Sequence, residues 1–447
     1  MKKRHSAIDL TKGPELRVIL SFSVPLLIGN LFQQMYNVVD SIVVGNYVGS
    51  QALAAVGLCF PIIVTILSLI MGIGTGTSVV VSNYCGAGDQ ERVERTIKTS
   101  YWIVFLGCIP ISILGVLGAE TILKLIQVPE DILPDAARYL QIYFLASFAN
   151  LGYGINDGIL RGLGDSRSSL RFVMVACFMN VALDLLFVLR FNLAVVGVAV
   201  ATVTAQTAAW IWSTVYIRRH YLLARRKKGN LRPDSAIAGQ ICRIGIPAGI
   251  QHMFFSFGAI VTQAMINGCG SSFIAGFNAA SKIDSFAFLP ILSFSTATTS
   301  FVGQNLGAKR WDRIRRGAVS ALKLALGLDV ILVGVILCFG SLLLGLFNQE
   351  ADVIHAGLGY LYRIMPFYLI YTVISMMYAV LRGLGDSMIP MGIMIAALWL
   401  GRVPAAYLLL HYFGENNLFF CYGIGWLIEI GLLSIYYRSG RWKRFLR

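Results

Sequence analysis

The sequence predicts an all-α integral membrane protein with twelve transmembrane helices. Of its 447 residues, 57% are hydrophobic and only 13% are charged, whereas about a quarter of the residues in a soluble domain are charged. Apolar segments long enough to cross a bilayer, which takes roughly 20 residues, recur along the whole chain. These segments are 18–44, 52–81, 99–119, 137–160, 169–189, 194–217, 244–266, 273–300, 318–346, 357–381, 389–410 and 417–437.

The distribution of basic residues predicts the orientation of these segments. The net charge is +15, but Lys and Arg concentrate before the first segment, in every second connection and after the last segment. The alternate connections at 45–51, 119–136, 267–272, 347–356 and 411–416 contain only Lys124. This positive-inside pattern places both termini in the cytoplasm and predicts a multi-pass protein of the cytoplasmic membrane. Because topology accounts for the charge, we expect no nucleic-acid partner.

An internal repeat predicts two lobes. The heptapeptide LRGLGDS occurs at 160–166 and again at 381–387, and at the same offset 86–95 aligns with 307–316. The predicted parts are a first lobe at 1–219, a basic cytoplasmic linker at 220–240 and a second lobe at 241–447. Each lobe contains six segments, so both enter the membrane in the same direction. We therefore expect two six-helix bundles related by a pseudo-twofold axis along the membrane normal.

Two glycine-containing motifs have structural interpretations. In LRGLGDS, Gly164 and its counterpart Gly385 end one helix, Asp165 caps the next helix, and the arginine of each copy extends to the cytoplasmic surface. The sequence GIGTGTS at 72–78 lacks the lysine of a phosphate-binding loop, so its small residues predict a close helix contact. The eight scattered cysteines contain no CxxC pair. They predict neither a disulfide nor a metal site, and we expect no cofactor.

The main candidate site consists of polar residues in three segments of the first half. Asp40 and Asp184 lie near the outer ends of the first and fifth segments, Asn180 lies one helical turn before Asp184, and Thr202 lies at a similar depth in the sixth. At the repeat offset, Asp40, Asn180 and Asp184 align with Thr262, Gly401 and Ala405. Because residues that the fold requires should recur in both halves, these three side chains indicate a function confined to the first half.

Cation binding is the chemistry that this group suggests. A carboxylate in an apolar helix favours proton binding, and carboxylate, amide and hydroxyl oxygens together also suit Na⁺. Either ion fits these residues, and we expect no other metal. A purely structural alternative is that Arg190, at the outer end of the fifth segment, pairs with Asp184.

Other embedded polar and aromatic residues are candidates for the wall of a substrate cavity. They are Gln33, Gln34, Tyr36 and Asn37 on the first segment, and Phe255, Lys282 and Asp284 in the second half. Four further charged residues are isolated in the sequence, and for these a structural role is at least as well supported as a functional one: Asp157, Asp329, Arg402 and Glu429.

The pattern resembles the multidrug and toxic compound extrusion (MATE) family over essentially the whole chain. The resemblance rests on the two six-segment halves, on VGQNLGAK at 302–309, and on the residues Pro25, Asp40, Asn180, Asp184 and Thr202. It implies a first-half cation network made by the last four of these residues, and a hinge at Pro25. Some members carry a glutamate where this chain has Phe255, which makes the chain more similar to DinF-like and MepA-like members.

The resemblance implies a proton- or sodium-coupled antiporter that exports bulky cationic or amphipathic compounds by alternating access. We expect a monomer whose partners are these small molecules and membrane lipids. The alternative is a flippase for a lipid-linked saccharide or another amphiphile, which would require several cationic side chains in the cleft. An enzyme is not expected, because the sequence shows no nucleophile with an adjacent base and no phosphate loop.

Overall fold

The structure is a computed structural model that describes residues 7–43, 50–125, 128–130, 132–191, 194–222 and 233–446. All regular secondary structure in these ranges is helical. The helices of the first half are α1 (Glu15–Val43), α2 (Ser50–Gly86), α3 (Gln90–Leu125), α4 (Leu133–Leu145), α5 (Ser147–Gly162), α6 (Ser166–Leu185) and α7 (Ala194–Ile217). The helices of the second half are α8 (Ser235–Ile266), α9 (Ser271–Gly307), α10 (Trp311–Gly345), α11 (Ala351–Gly383), α12 (Met388–Ala396), α13 (Val403–Phe413) and α14 (Phe420–Arg438).

Eleven spans within the described ranges are long and apolar enough to cross a membrane. The protein is therefore a multi-pass membrane protein, as the sequence predicted. The predicted fourth segment, 137–160, differs because α4 and α5 meet at Ala146 and have only 13 and 16 residues. At 1.5 Å per residue each is about 20–24 Å long, which is shorter than the roughly 30 Å hydrocarbon core.

The chain forms two compact units that share two helices. The first unit comprises Met1–Asp9 and Ile28–Gly249, and the second comprises Leu10–Leu27 and Ile250–Arg447. Helices α1 and α8 therefore each begin in one unit and end in the other. In both helices the change of unit follows a proline, Pro25 or Pro247, by two residues. These units differ from the lobes expected from the repeat in two segments. Leu10–Leu27 belongs to the second unit, and the part of α8 up to Gly249 belongs to the first.

Close backbone contacts hold the first unit together, as GIGTGTS predicted. A Cβ added at Gly72 would lie 2.3 Å from the backbone nitrogen of Gly249 on α8. A Cβ added at Gly158 on α5 would lie 2.3 Å from the carbonyl oxygen of Gly74. Alternate glycines of α2 thus allow two different helices to approach its backbone, which favours dispersion contacts in a bundle surrounded by lipid.

The second unit has an aromatic core. The rings of Phe273 and Phe277 on α9 stack on Phe419 at centroid distances of 5.5 and 5.8 Å. Tyr360 of α11 meets Phe419 edge-on at 4.9 Å. Edge-to-face and offset-stacked geometries are those that ring quadrupoles favour, so these residues fix the contact between α9 and α11.

Both copies of LRGLGDS form the predicted turn. Gly164 and Gly385 have φ angles of +82° and +92°, a conformation in which glycine avoids the strain of a Cβ. The side chain of Asp165 caps α6 by accepting from the backbone nitrogen of Ser168 at 3.1 Å. The arginines of both copies, which were expected to extend to the surface, are partly exposed.

The arginines of the two copies also bind side chains of their own unit. Arg161 pairs with Asp157 at 2.7 Å, so Asp157 is also not isolated. Arg382 donates to Ser295 Oγ at 3.0 Å. A guanidinium that stays inside a bundle must find such acceptors, since an unpaired buried donor is costly.

Candidate functional site

Three of the predicted cation-site residues meet between α6 and α7. Asn180 and Asp184 lie one turn apart on α6, and Thr202 faces them from α7. All three are buried, with exposed fractions of 2%, 0% and 7%. Because α6 begins at a fixed cap, Asp165, and packs along α7, the positions of these side chains follow from regular helix geometry.

Hydrogen bonds link the three side chains into one network. In the amide orientation that satisfies its neighbours, Asn180 donates to Asp184 Oδ2 at 2.9 Å. Its amide oxygen then accepts from the hydroxyl and the backbone nitrogen of Thr202, both at 3.2 Å. The amide thus connects a buried carboxylate with a buried hydroxyl, and a change at Asp184 will be felt at Thr202.

A small pocket adjoins this network. It is lined by Gln33, Tyr36, Tyr153, Val173, Ala176, Cys177, Asn180, Thr202, Ala205 and Gln206. The space open to a water-sized molecule is about 20 Å³, whereas one water requires about 10–15 Å³ by the same measure. In this conformation the pocket therefore suits a water molecule or a single ion.

Two polar atoms of this pocket are unsatisfied. Among the described residues, neither Tyr153 Oη nor Gln206 Oε1 has a hydrogen-bond partner, and both atoms are buried. Buried polar atoms in proteins are nearly always hydrogen-bonded to protein or to ordered water. These two atoms therefore indicate a pocket that receives a polar guest beside Asn180 and Thr202.

The side chain of Asp40 lies outside the described residues, although its backbone belongs to α1. Its role in the network stays a prediction. The alternative partner for Asp184 is not supported, because Arg190 is exposed and no described carboxylate lies within ion-pair distance of its guanidinium.

The structure brings together some of the predicted cavity residues. Gln33 and Tyr36 of α1 line the pocket with Asn180 and Thr202, whereas the lining does not include Gln34 or Asn37.

The other three predicted cavity residues belong to the second unit. Lys282 is exposed, and the ring of Phe255 packs on Phe288 at 6.1 Å. Asp284 accepts hydrogen bonds from Tyr368 and, at 3.1 Å, from Tyr360, both on α11. Among the described residues Lys282 and Asp284 form no ion pair.

The embedded charges of the second unit form a polar system that the sequence interpretation missed. Glu429 of α14 accepts from Tyr378 of α11 at 2.5 Å. Asp329 of α10 accepts from Thr372 at 2.7 Å. Like Asp284, each carboxylate is therefore held by neutral hydroxyls of α11.

Arg402 belongs to the same polar system. It lies on the π-helical turn Ala397–Arg402 and is 5% exposed. Its guanidinium donates to Thr262 Oγ1 at 3.3 Å and lies 3.5 Å from the ring centroid of Tyr422. The spacing of Tyr360, Tyr368, Tyr371 and Tyr378, which share one face of α11, is the signal that could have revealed these partners.

The comparison with known proteins identifies the family. The MatE family model matches the chain twice, at residues 25–186 and 247–408. The chain belongs to the MatE family. The two matches cover the two halves of the repeat. Each match begins at a proline, Pro25 or Pro247, and the chain passes from one compact unit to the other two residues later. The resemblance stated from the sequence is thereby confirmed.

Curated relatives agree with this assignment over three quarters or more of the chain. The chain is 30% identical over 441 residues to the probable multidrug resistance protein YpnP of Bacillus subtilis (strain 168), covering 98% of both proteins. It is 23% identical over 355 residues to the multidrug export protein MepA of Staphylococcus aureus (strain MSSA476), covering 77% of this chain and 76% of MepA.

Solved structures show the same fold. An outward-facing multidrug resistance MATE family transporter of the MOP superfamily matches with a TM-score of 0.90 at 24% identity, over 98% of this chain and 99% of that chain. Members of the MatE family are transporters, so the protein is a transporter and not an enzyme.

Proposed function

We propose that this MatE family member is a cation-coupled antiporter that exports bulky cationic or amphipathic compounds by alternating access. The observation that carries this proposal is the buried network of Asp184, Asn180 and Thr202 beside a pocket of water size. A charged group is retained inside a membrane bundle at an energetic cost, which indicates a functional role. The names of YpnP and MepA support drug export.

The pocket is large enough for the coupling ion but too small for the exported compound. Sites for drug-sized ligands have volumes of about 300–1,000 Å³, far above the roughly 20 Å³ open here. The exported compound therefore requires another conformation or another cavity. A proton carried by Asp184, with water between Tyr153 and Gln206, fits the space that this conformation provides.

Proton binding leaves the hydrogen-bonded orientation of the Asn180 amide unchanged, whereas Na⁺ at the Asp184 carboxylate would require the amide to turn its oxygen towards the ion. The amide nitrogen, a donor, faces the Asp184 carboxylate, and the amide oxygen faces Thr202. A sodium site at the carboxylate would instead require oxygen ligands around the ion. We therefore propose H⁺ as the coupling ion, with Asp40 as a second member of the site.

The available gradients supply enough free energy for such coupling. One elementary charge moved across 100 mV provides about 2.3 kcal/mol. Each tenfold concentration ratio adds about 1.4 kcal/mol. One or two protons therefore suffice for an outward substrate gradient of tenfold or more.

We further propose the hinge and the topology. Pro25 lacks the N–H that would bond to the preceding turn, and it lies two residues before α1 changes unit. Bending there would let the two parts of α1 move with different units. The proposed protein is a monomer in the cytoplasmic membrane, with both termini in the cytoplasm. Its twelve spans form two six-helix bundles related by a pseudo-twofold axis along the membrane normal.

The flippase alternative is less well supported. A lipid-linked saccharide carries pyrophosphate, which proteins hold with Arg and Lys side chains. The described residues that line the pocket beside Asp184 are all neutral.

Transport by purified protein in liposomes tests the proposal. A pH gradient and a Na⁺ gradient are imposed separately, and efflux of a fluorescent cationic compound is followed. We expect efflux with the pH gradient alone, and at least a tenfold loss in Asp184→Asn. The control is Glu120→Gln, since Glu120 is an exposed partner of Lys124. Efflux driven only by Na⁺, or full activity of correctly folded Asp184→Asn, would overturn the proton site.

A further inference from the structure

A second, larger groove lies in the first unit between α6 and α7, apart from the Asp184 network. Its volume is about 380 Å³. It is lined by Ser168, Arg171, Phe172, Met174, Val175, Phe178, Trp212 and Tyr216. We call it the Arg171 groove. It contains neither Asn180 nor Thr202, so the ion-binding network does not explain it.

The aromatic wall of this groove is already ordered. Phe172 is buried and meets the rings of Trp212 and Tyr216 edge-on, at 5.8 and 5.6 Å. The hydroxyl of Tyr216 accepts from Ser168 Oγ at 2.9 Å and donates to Asp165 Oδ2 at 3.0 Å. A guest would therefore lose little free energy in ordering these side chains.

Among the described residues that line the groove, Arg171 is the one that is charged. Its side chain is exposed, and no carboxylate of the described residues lies within ion-pair distance of it. By contrast, Arg161 is paired with Asp157 at 2.7 Å. A guanidinium at an apolar groove, without an acidic partner among the described residues, is complementary to a guest that supplies its own anion.

The remainder of the groove offers apolar surface. Phe178 and Trp212 are 62% and 54% exposed. Phe178 lies about two turns along α6 from Arg171, roughly 10 Å at 1.5 Å per residue. Charge at one end and apolar surface along the next 10 Å match an amphiphile with an anionic head and a hydrocarbon chain.

The internal repeat shows that the fold does not require this arrangement. At the repeat offset, Arg171 aligns with Gly392 and Trp212 aligns with Leu433, whereas Tyr216 aligns with Tyr437. The hydrogen bond from Tyr216 to Asp165 has a counterpart in the second half, where Tyr436, the neighbour of Tyr437, donates to Asp386. The arginine and the tryptophan have no counterpart. This difference indicates that Arg171 and Trp212 have a role beyond packing.

We propose that the Arg171 groove binds one anionic phospholipid, with the phosphate at Arg171 and an acyl chain along Trp212 and Phe178. Arg171 lies in the second turn of α6, near the end of that helix that the positive-inside pattern assigns to the cytoplasmic side. Basic pockets between helices on that side bind anionic head groups. Exported cations are disfavoured there because Arg171 repels them.

Lipid retention by the full-length protein tests this proposal without any transport assay. Protein in detergent is mixed with phosphatidylglycerol or with phosphatidylcholine, and bound lipid is counted by native mass spectrometry. We expect one retained phosphatidylglycerol, at least fivefold more than phosphatidylcholine. A basic residue near an anionic surface contributes about that factor. Arg171→Gln should lose this preference.

Two variants and one competitor make the result decisive. Arg167→Gln, an exposed arginine one turn away that does not line the groove, should bind phosphatidylglycerol as the unchanged protein does. Trp212→Ala should lower retention of the lipid while Arg171 remains. Equal retention of both lipids, full retention by Arg171→Gln, or displacement of the lipid by inorganic phosphate alone would overturn the proposal.

Discussion

Replacing Gly72 with alanine should destabilise the first unit, because the backbones of α2 and α8 touch at this residue. The added Cβ would lie 2.3 Å from the Gly249 nitrogen and 2.4 Å from the Gly245 carbonyl oxygen. Real Cβ contacts below 3.0 Å essentially never occur. Neither helix can relieve the contact by rotating a side chain, so α2 and α8 must separate by about 1 Å, at a cost of about 1–3 kcal/mol for overpacking.

Gly107→Ala on α3 is the matched control, since a Cβ there would meet nothing within 4 Å. Both changes gain the same helix propensity, up to about 1 kcal/mol, so their difference isolates the steric cost. Thermal unfolding in detergent measures it. We expect a midpoint for Gly72→Ala that is about 2–12 °C below that of Gly107→Ala, from about 2–4 °C per kcal/mol for a unit of this size. Equal midpoints would refute the close contact.

Three further predictions concern the network, the caps and the hinge. Thr202→Val should slow gradient-driven efflux by about 2–10-fold, which is the equivalent of one hydrogen bond. The control is Thr204→Val, which should leave efflux unchanged because the Thr204 hydroxyl bonds to its own helix. Equal efflux rates for the two variants would contradict the network. Asp165→Ala should lower the free energy of unfolding by about 3 kcal/mol, because this carboxylate accepts from Ser168, Tyr216 and Tyr221. The loss should be smaller for Asp386→Ala, because among the described residues Asp386 accepts only from Tyr436 and, at 3.5 Å, from the backbone nitrogen of Ile389. Chemical denaturation of the two variants measures both losses. Pro25→Ala should leave the protein folded yet slow efflux in liposomes, because the restored N–H stiffens α1; an unchanged rate would show that α1 does not bend there.

Several parts of the site were accessible from the sequence because regular helices have fixed periodicity. Asn180 and Asp184 are four residues apart, so they share a face wherever α6 forms. The repeat then distinguished them from packing residues, since Gly401 and Ala405 occupy the matching positions. The approach of Thr202 followed from the alternating direction of consecutive segments.

Other contacts depend on how helices rotate against one another, which periodicity does not specify. Asp157 is an exception, because its partner Arg161 lies one turn away on α5, a spacing that helix periodicity does specify. Asp284, Asp329 and Glu429 find hydroxyls on α11 that lie 43–84 residues away in the chain. The sequence interpretation treated charges as needing opposite charges, whereas here neutral hydroxyl groups hold the carboxylates.

The sequence by itself determined the class, the repeat and the face of each helix, because hydrophobicity, charge and period are local properties of a chain in a bilayer. Only the tertiary structure decided that the fourth segment is two helices, and that α1 and α8 change unit after Pro25 and Pro247. It also decided that the pocket at Asn180 and Thr202 has the size of a water molecule. These features result from the distance between helices, and that distance is set by which side chains meet across the bundle.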